Sequence, residues 1–211
     1  MRLFFAPVLA LLLLPAFYAG RAQAAPVLFA DFVWGTPKSE LEKITGAAPG
    51  QDAFAGDLFL PGTRDFAGES WNVRLVFAKE RLVQVGLMAH YSRERMDKVS
   101  RQLRADKFEM LSVLIDSSSL DLVKVLKSGG PDSVKEEWAR FARDKKPERM
   151  TYAWFDTSGM SETMKMTAGS LPQLLMMSPP ETREVEVTLL RDPAAAAPGM
   201  LFVDFSFPVL R

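Results

Sequence analysis

The sequence predicts an α+β fold in which an antiparallel β-sheet, built from hairpins or a meander, packs against several helices. Apolar and polar residues alternate along several segments, and this period of two is the pattern of half-buried strands. Other segments carry apolar residues three or four positions apart, as amphipathic helices do. The two kinds of segment do not alternate strictly along the chain, so a parallel sheet of strand–helix–strand units is not expected.

Composition sets limits on the chemistry of the chain. Of its 211 residues, 48% are hydrophobic and 25% are charged, which is ordinary usage for a globular protein. The absence of cysteine excludes disulfides, thiolate zinc sites and a cysteine nucleophile, and a single histidine excludes any site that needs two imidazoles from one chain. The 26 basic and 26 acidic side chains balance, which argues against nucleic acid as a partner.

Residues 1–24 have the pattern of a secretory signal peptide. Arg2 supplies the positive start, residues 3–19 form an apolar run, and small alanines precede a cleavage point at Ala25. The alternative is an uncleaved membrane anchor. The apolar run argues against it, because the run is short for a membrane span of about 20 residues and contains prolines. We therefore expect a Sec-type signal and a periplasmic or secreted protein, with no stable membrane insertion after cleavage.

The remaining chain, residues 25–211, is long enough to bury a hydrophobic core without disulfides. We expect one α+β domain there, or two fused halves that meet near residues 130–150. Loss of the two arginines in the signal peptide leaves 24 basic and 26 acidic side chains, so the secreted form is almost neutral.

A short helix is predicted at residues 37–45, because both of its ends carry the expected residues. Thr36 suits an N-cap, where its hydroxyl accepts a free backbone N–H. Pro37 suits the first helical position, which needs no N–H, and Gly46 can take the left-handed conformation that ends a helix.

A loop and then a hairpin are expected after this helix. Residues 47–68 are rich in glycine, proline and aspartate and predict a loop, with one short strand at 58–60. Alternation then predicts antiparallel strands at 70–78 and 81–91, joined by a tight turn at Lys79-Glu80.

The middle of the chain is predicted to be mostly helical. Met96, Val99 and Leu103 have helical spacing, and residues 108–115 either continue that helix or form a buried strand. The three serines at 117–119 can cap a further helix, which the Gly-Gly-Pro at 129–131 ends, and another helix follows around Trp138.

The last third is predicted to be sheet. Residues 150–155, 183–190 and 201–207 are candidate strands, and a hairpin loop at 192–199 joins the last two. The methionine-rich segment before them is expected to be loop with a short helix near 170–177.

The run from Phe32 to Gly46 resembles the opening helix of small exported bacterial domains. It is similar to the Gly-x-Thr…Leu-Gly helix of the BamE-like outer-membrane assembly lipoproteins, with eleven residues from Gly35 to Gly46. The segments 73–77 and 81–85 then resemble the meander of those domains. The chain departs from the pattern in having no lipidation cysteine, a longer helical middle and an extra C-terminal hairpin. The resemblance implies a helix–meander domain and no catalytic residues.

Five methionines within eighteen residues are the candidate binding residues: Met160, Met164, Met166, Met176 and Met177. Methionine fills irregular cores and adapts to apolar partners, so packing or partner contact is the interpretation that we favour. The alternative is a Cu(I) site, because thioethers are soft ligands and the spacing of these residues can gather several sulfurs.

Catalytic residue types are scarce. His90 as a general base would need a nucleophile and an orienting carboxylate close in space; serines such as Ser92 and several aspartates exist, but the sequence has no Gly-x-Ser-x-Gly elbow. Two carboxylate pairs are conceivable for acid–base work, Asp156 with Glu162 and Glu184 with Glu186. The second pair lies on one face of a strand, which predicts the solvent face of an amphipathic strand. We assign no catalytic residue, metal or cofactor.

Together these observations predict a periplasmic, non-enzymatic protein that binds an envelope protein, a peptide or a lipid surface. Its contact surfaces are expected to be the methionine-rich segment 160–177 and the hairpin loop 192–199, since loops on a rigid frame carry recognition. A carboxylate-based hydrolase acting on a cell-envelope substrate is the first alternative. A methionine-rich Cu(I)-binding protein is the second.

Overall fold

One long antiparallel sheet organises the part of the chain that the computed structural model describes, namely residues 25–143, 145, 147–191 and 198–208. The predicted signal peptide and most of the predicted hairpin loop at 192–199 lie outside the described residues. The strands are β1 (Val27–Phe29), β2 (Phe32–Val33), β3 (Ala48–Pro49), β4 (Leu58–Phe66), β5 (Glu69–Ala78), β6 (Arg81–His90), β7 (Phe108–Ile115), β8 (Ser118–Asp121), β9 (Arg149–Asp156), β10 (Glu184–Arg191) and β11 (Pro198–Ser206). The helices are α1 (Lys38–Thr45), α2 (Arg93–Ala105), α3 (Leu122–Ala142), α4 (Glu162–Thr167) and α5 (Leu171–Met177).

Within these residues nine strands form the sheet in the order β3-β4-β5-β6-β11-β10-β9-β7-β8, and β1 pairs with β2 separately. Each pairing is antiparallel, which confirms the predicted α+β class. The C-terminal strand β11 lies between β6 and β10 and so joins the first meander to the last strands. β9 pairs with both β7 and β10, so the sheet runs unbroken past the segment 130–150. Among the described helices, none has the length and apolar character needed to cross a bilayer.

The main core lies on one face of the sheet. Trp71, Leu87 and Val203 are fully buried there, beneath Val99 and Leu103 on one side of α2. These α2 residues are four apart, so they share one helix face, as the sequence predicts. Burial of each such side chain contributes about 1.5–3 kcal/mol, which makes this face the principal source of stability.

A second, smaller core covers the opposite face at the β7–β9 end of the sheet. Ala153 and Phe155 alternate along β9 with Trp154, which belongs to the main core, so the first two side chains point the other way. The first turns of α3 and the two short helices α4 and α5 pack over them. The buried members are Leu111, Val123, Ala153, Phe155, Met160, Ala168 and Leu174.

Several turn predictions are confirmed and one capping prediction is wrong. Gly46 ends α1 with a left-handed φ of 64°, and Lys79 and Glu80 form the predicted tight turn with φ of 49° and 60°. Thr36, however, does not cap α1. Its hydroxyl donates to the carbonyl of Val33 at 2.8 Å, because the chain turns there from β2.

The middle of the chain contains more strand than the sequence indicates. Residues 108–115 are the strand β7 rather than a continued helix, and the expected loop contains the full nine-residue strand β4. The serines at 117–119 do not cap the next helix, because β8 pairs with β7 there and Asp121 takes the N-cap position instead. α3 consists of two helical segments separated at Gly130, whose φ of 73° and ψ of −172° are not helical, so the break predicted at the Gly-Gly-Pro of 129–131 is confirmed.

Candidate functional site

A cavity of about 460 Å³ opens at the second core. This volume lies within the range of about 300–1,000 Å³ that small-molecule sites usually have. Four of the apolar lining residues are buried and form its floor: Leu111, Val123, Ala168 and Leu174. The exposed apolar residues Leu126 and Met166 stand at its mouth, with exposed fractions of 42% and 65%. The polar lining residues are Glu109, Lys127, Thr157 and Lys165.

Strand β7 contains a bulge beside the cavity floor. Met110 pairs with Trp154 and Ser112 with Ala153, so Leu111 is an extra residue on β7 with no partner on β9. Leu111 lies two residues from Glu109 on the same face of β7, so both side chains line the cavity. The bulge places Ser112 on that face as well, because Ser112 pairs with Ala153 of the second core.

Helix capping fixes the three helices that surround the cavity. Asp121 accepts from the Lys124 N–H at 3.0 Å and caps α3, while its other carboxylate oxygen accepts from the Leu171 N–H of α5 at 2.8 Å. Ser161 caps α4 by accepting from the Met164 N–H at 3.2 Å. One carboxylate therefore ties together the starts of the two helices that carry Val123 and Leu174.

Two lysines reach the mouth of the cavity from different helices. Lys165 donates to Glu109 at 2.7 Å and lies 3.9 Å from Glu162. Lys127 donates to the backbone carbonyl of Met166, one of the last carbonyls of α4, which lack helical partners. Among the described residues no carboxylate lies within 4.0 Å of the Lys127 ammonium.

Glu109 is ionised at neutral pH. Partial burial by itself raises the pKa of this carboxyl, but hydrogen bonds from Lys165 and Thr157 outweigh burial and place the pKa below its usual value. The Thr157 hydroxyl donates at 2.8 Å. Glu109 is the one carboxylate among the residues that line the cavity, so this cavity does not hold two facing carboxylates.

The five candidate methionines have different surroundings. Met160 is buried in the second core, and Met164 and Met177 are partly buried against it. Met166 is exposed at the cavity mouth, and Met176 is 81% exposed beside a separate depression. The segment therefore contributes mainly to packing, and Met166 is the methionine that lines the cavity.

The two carboxylate pairs named from the sequence occupy different settings. Asp156 accepts from Ser158 at 2.6 Å and from Arg183 at 3.0 Å, whereas Glu162 is largely exposed. The expectation that Glu184 faces solvent is wrong, because it lies between Ser206 and Phe155 on the neighbouring strands and is buried.

A buried polar cluster lies near the middle of the sheet. The same Asp204 carboxylate oxygen accepts from Gln84 at 2.8 Å and from Arg74 at 3.2 Å. Burial raises the pKa of Asp204 above its ordinary value, despite the attraction of Arg74. Gly86 leaves room for it, since an added Cβ would come within 2.6 Å of that oxygen and displace the carboxylate. The cluster joins β5, β6 and β11 and is best understood as structural.

Comparison with known proteins gives no relative: no family model, curated protein or solved structure matches the chain. The BamE-like resemblance thus stays a prediction. Over the described residues no group of three or more histidine, aspartate or glutamate side chains is placed to hold a metal ion. The site must be interpreted from its own geometry.

Sequence reasoning missed the charged residues of the cavity. Lys127 and Lys165 are 38 positions apart and come from different helices, so no local pattern links them. α4 has a local signal that was available, namely Ser161 followed by Glu162 in the first turn. The bulge at Leu111 has no such signal, because the alternation of β7 does not reveal an extra residue.

Proposed function

We propose that this chain is an exported, non-enzymatic binding protein that shelters the apolar part of an envelope ligand in the cavity at the second core. The observation that carries the proposal is the combination of a buried apolar floor with exposed Leu126 and Met166 at the mouth. A soluble protein leaves such apolar surface open mainly where a partner covers it. The rigid sheet beneath supplies a preformed site, which lowers the entropy lost on binding.

The composition of the cavity favours binding over hydrolysis. Its single carboxylate, Glu109, is engaged by Lys165 and Thr157 and is ionised, whereas a glycosidase-type mechanism needs a second carboxyl group that faces the first. The cavity thus supports the carboxylate-hydrolase alternative less well than it supports a binding role.

The cavity can be tested with N-phenyl-1-naphthylamine, a neutral apolar fluorophore. We expect the purified mature protein to bind it with increased fluorescence. Leu126→Glu places a charge at the mouth and should weaken binding at least tenfold, because burial of apolar surface supplies the affinity. Met176→Glu is the matched control, since Met176 is also an exposed apolar residue of a neighbouring helix but does not line the cavity.

Both variants change exposed side chains, so circular dichroism should show wild-type folding. No fluorophore binding by the wild type, or equal loss in the two variants, would rule out this cavity as the binding site. Export is tested separately by the N-terminus of the protein in its native host. The proposal expects the protein to begin at Ala25, and a retained Met1 would contradict export.

The Cu(I) alternative has its own experiment, titration of Cu(I) into the mature protein followed by mass spectrometry. If copper binds and the combined change of Met160, Met164 and Met166 abolishes uptake, these methionines hold the metal. Burial of Met160 among the apolar residues of the second core favours the packing interpretation, because methionine fills irregular cores.

A further inference from the structure

We propose that the ligand of this cavity is a single-chain amphiphile with a monoanionic head group, that is, a fatty-acid-type carboxylate whose chain enters the cavity and whose head meets Lys127. The inference rests on the binding function proposed above and adds the chemical class of the ligand. It follows from two features: the apolar floor, and the charge distribution at the mouth.

The floor accepts a hydrocarbon chain. Leu111, Ala168 and Leu174 are buried and carry no polar side-chain atom. A volume of about 460 Å³ suits one chain better than the several chains of a bulky lipid. Each methylene that enters such a site should tighten binding about fourfold, until the cavity is filled.

The mouth favours a negative head group. Lys165 is neutralised by Glu109 at 2.7 Å, and Glu162, 3.9 Å away, is 82% exposed, so water screens its charge. Lys127 has a neutral partner, the carbonyl of Met166, and among the described residues no carboxylate lies within 4.0 Å of it. Lys127 is therefore an uncompensated positive charge beside the apolar opening, and one carboxylate would complement it.

Isothermal titration calorimetry of the mature protein with decanoate, monodecanoylglycerol and decylammonium, each below its critical micelle concentration, tests the head group. We expect decanoate to bind most tightly and decylammonium most weakly. Octanoate and dodecanoate extend the series and should show the fourfold step per methylene. Lys127→Gln should weaken decanoate about two- to fivefold and leave monodecanoylglycerol unchanged.

Glu109→Gln is the complementary variant. It removes the nearer of the two carboxylates beside Lys165 and should strengthen decanoate binding by a similar factor, again without effect on the neutral ligand. If Lys127 serves only to cap α4, Lys127→Gln will weaken both ligands equally, which overturns the inference. Equal affinity of the wild type for decanoate and monodecanoylglycerol overturns the anionic class while the cavity remains a binding site. Failure of every amphiphile to bind overturns the proposed function as well.

Discussion

Asp121 links two of the helices that surround the cavity, α3 and α5, and its replacement tests how the site is stabilised. Its two carboxylate oxygens accept from the Lys124 N–H of α3 and from the Leu171 N–H of α5. Asp121→Ala removes both acceptors. Loss of an N-cap costs about 1 kcal/mol, and loss of a hydrogen bond to a charged group costs about 1.5–3 kcal/mol.

Because Asp121 is partly exposed, we expect the lower part of that combined range, about 2.5–3 kcal/mol. For a chain of this size the melting temperature should fall by about 5–10 °C. Asp121→Asn should lose about half as much, since asparagine still caps a helix but has a single side-chain acceptor oxygen. Urea unfolding followed by circular dichroism measures these differences in the free energy of unfolding.

Asp97→Ala is the matched control, because Asp97 is an exposed helical aspartate with no hydrogen bond or ion pair among the described residues. It should change stability by less than about 0.5 kcal/mol. The variants of Asp121 should also weaken fluorophore binding, since α3 and α5 no longer share an anchor. If Asp121→Ala is as stable as Asp97→Ala, the reasoning about the double cap is refuted.

Two further predictions concern the backbone and pH. Gly130→Ala should lower the free energy of unfolding by about 1–3 kcal/mol, because a φ of 73° with a ψ of −172° suits glycine alone. Gly159→Ala is the control: its added Cβ would meet an ordinary contact at 3.4 Å, so the free energy of unfolding should change by less than about 0.5 kcal/mol. Equal effects of the two variants in urea unfolding would contradict this. Burial raises the pKa of Asp204 above 3.8, so the folded state binds its proton more tightly than the unfolded chain. The stability of the wild type relative to Asp204→Asn should then be highest below pH 3.8 and fall as the pH rises through the folded pKa, and a difference that is constant or grows with pH would refute this.

Local patterns predicted the elements whose signal lies within a few residues. The strands β5, β6, β10 and β11 show a period of two, because one face meets a core and the other does not. The helix end at Gly46 and the turn at Lys79 were likewise predictable from the sequence, since the backbone conformation at both places depends on neighbouring residues. The sequence of β7 is compatible with either helix or strand, because its buried positions lie on both faces.

Pairing over long distances was not predictable from the sequence. The position of β11 between β6 and β10 depends on contacts between residues more than a hundred positions apart. The cavity depends on the shared cap at Asp121 and on two lysines from separate helices. None of these features produces a periodic pattern in the sequence. The sequence therefore points to the methionine cluster and not to the cavity.

Methionine-methyl NMR tests the central claim, that ligand enters the cavity at the second core, most directly. In protein labelled with [methyl-¹³C]methionine, titration with N-phenyl-1-naphthylamine should shift the resonance of Met166, which lines the cavity. The resonance of Met176, which is more exposed than Met166 but lies beside a separate depression, should stay in place. A shift of Met176 without one of Met166, or no shift of Met166 at saturation, would contradict the account.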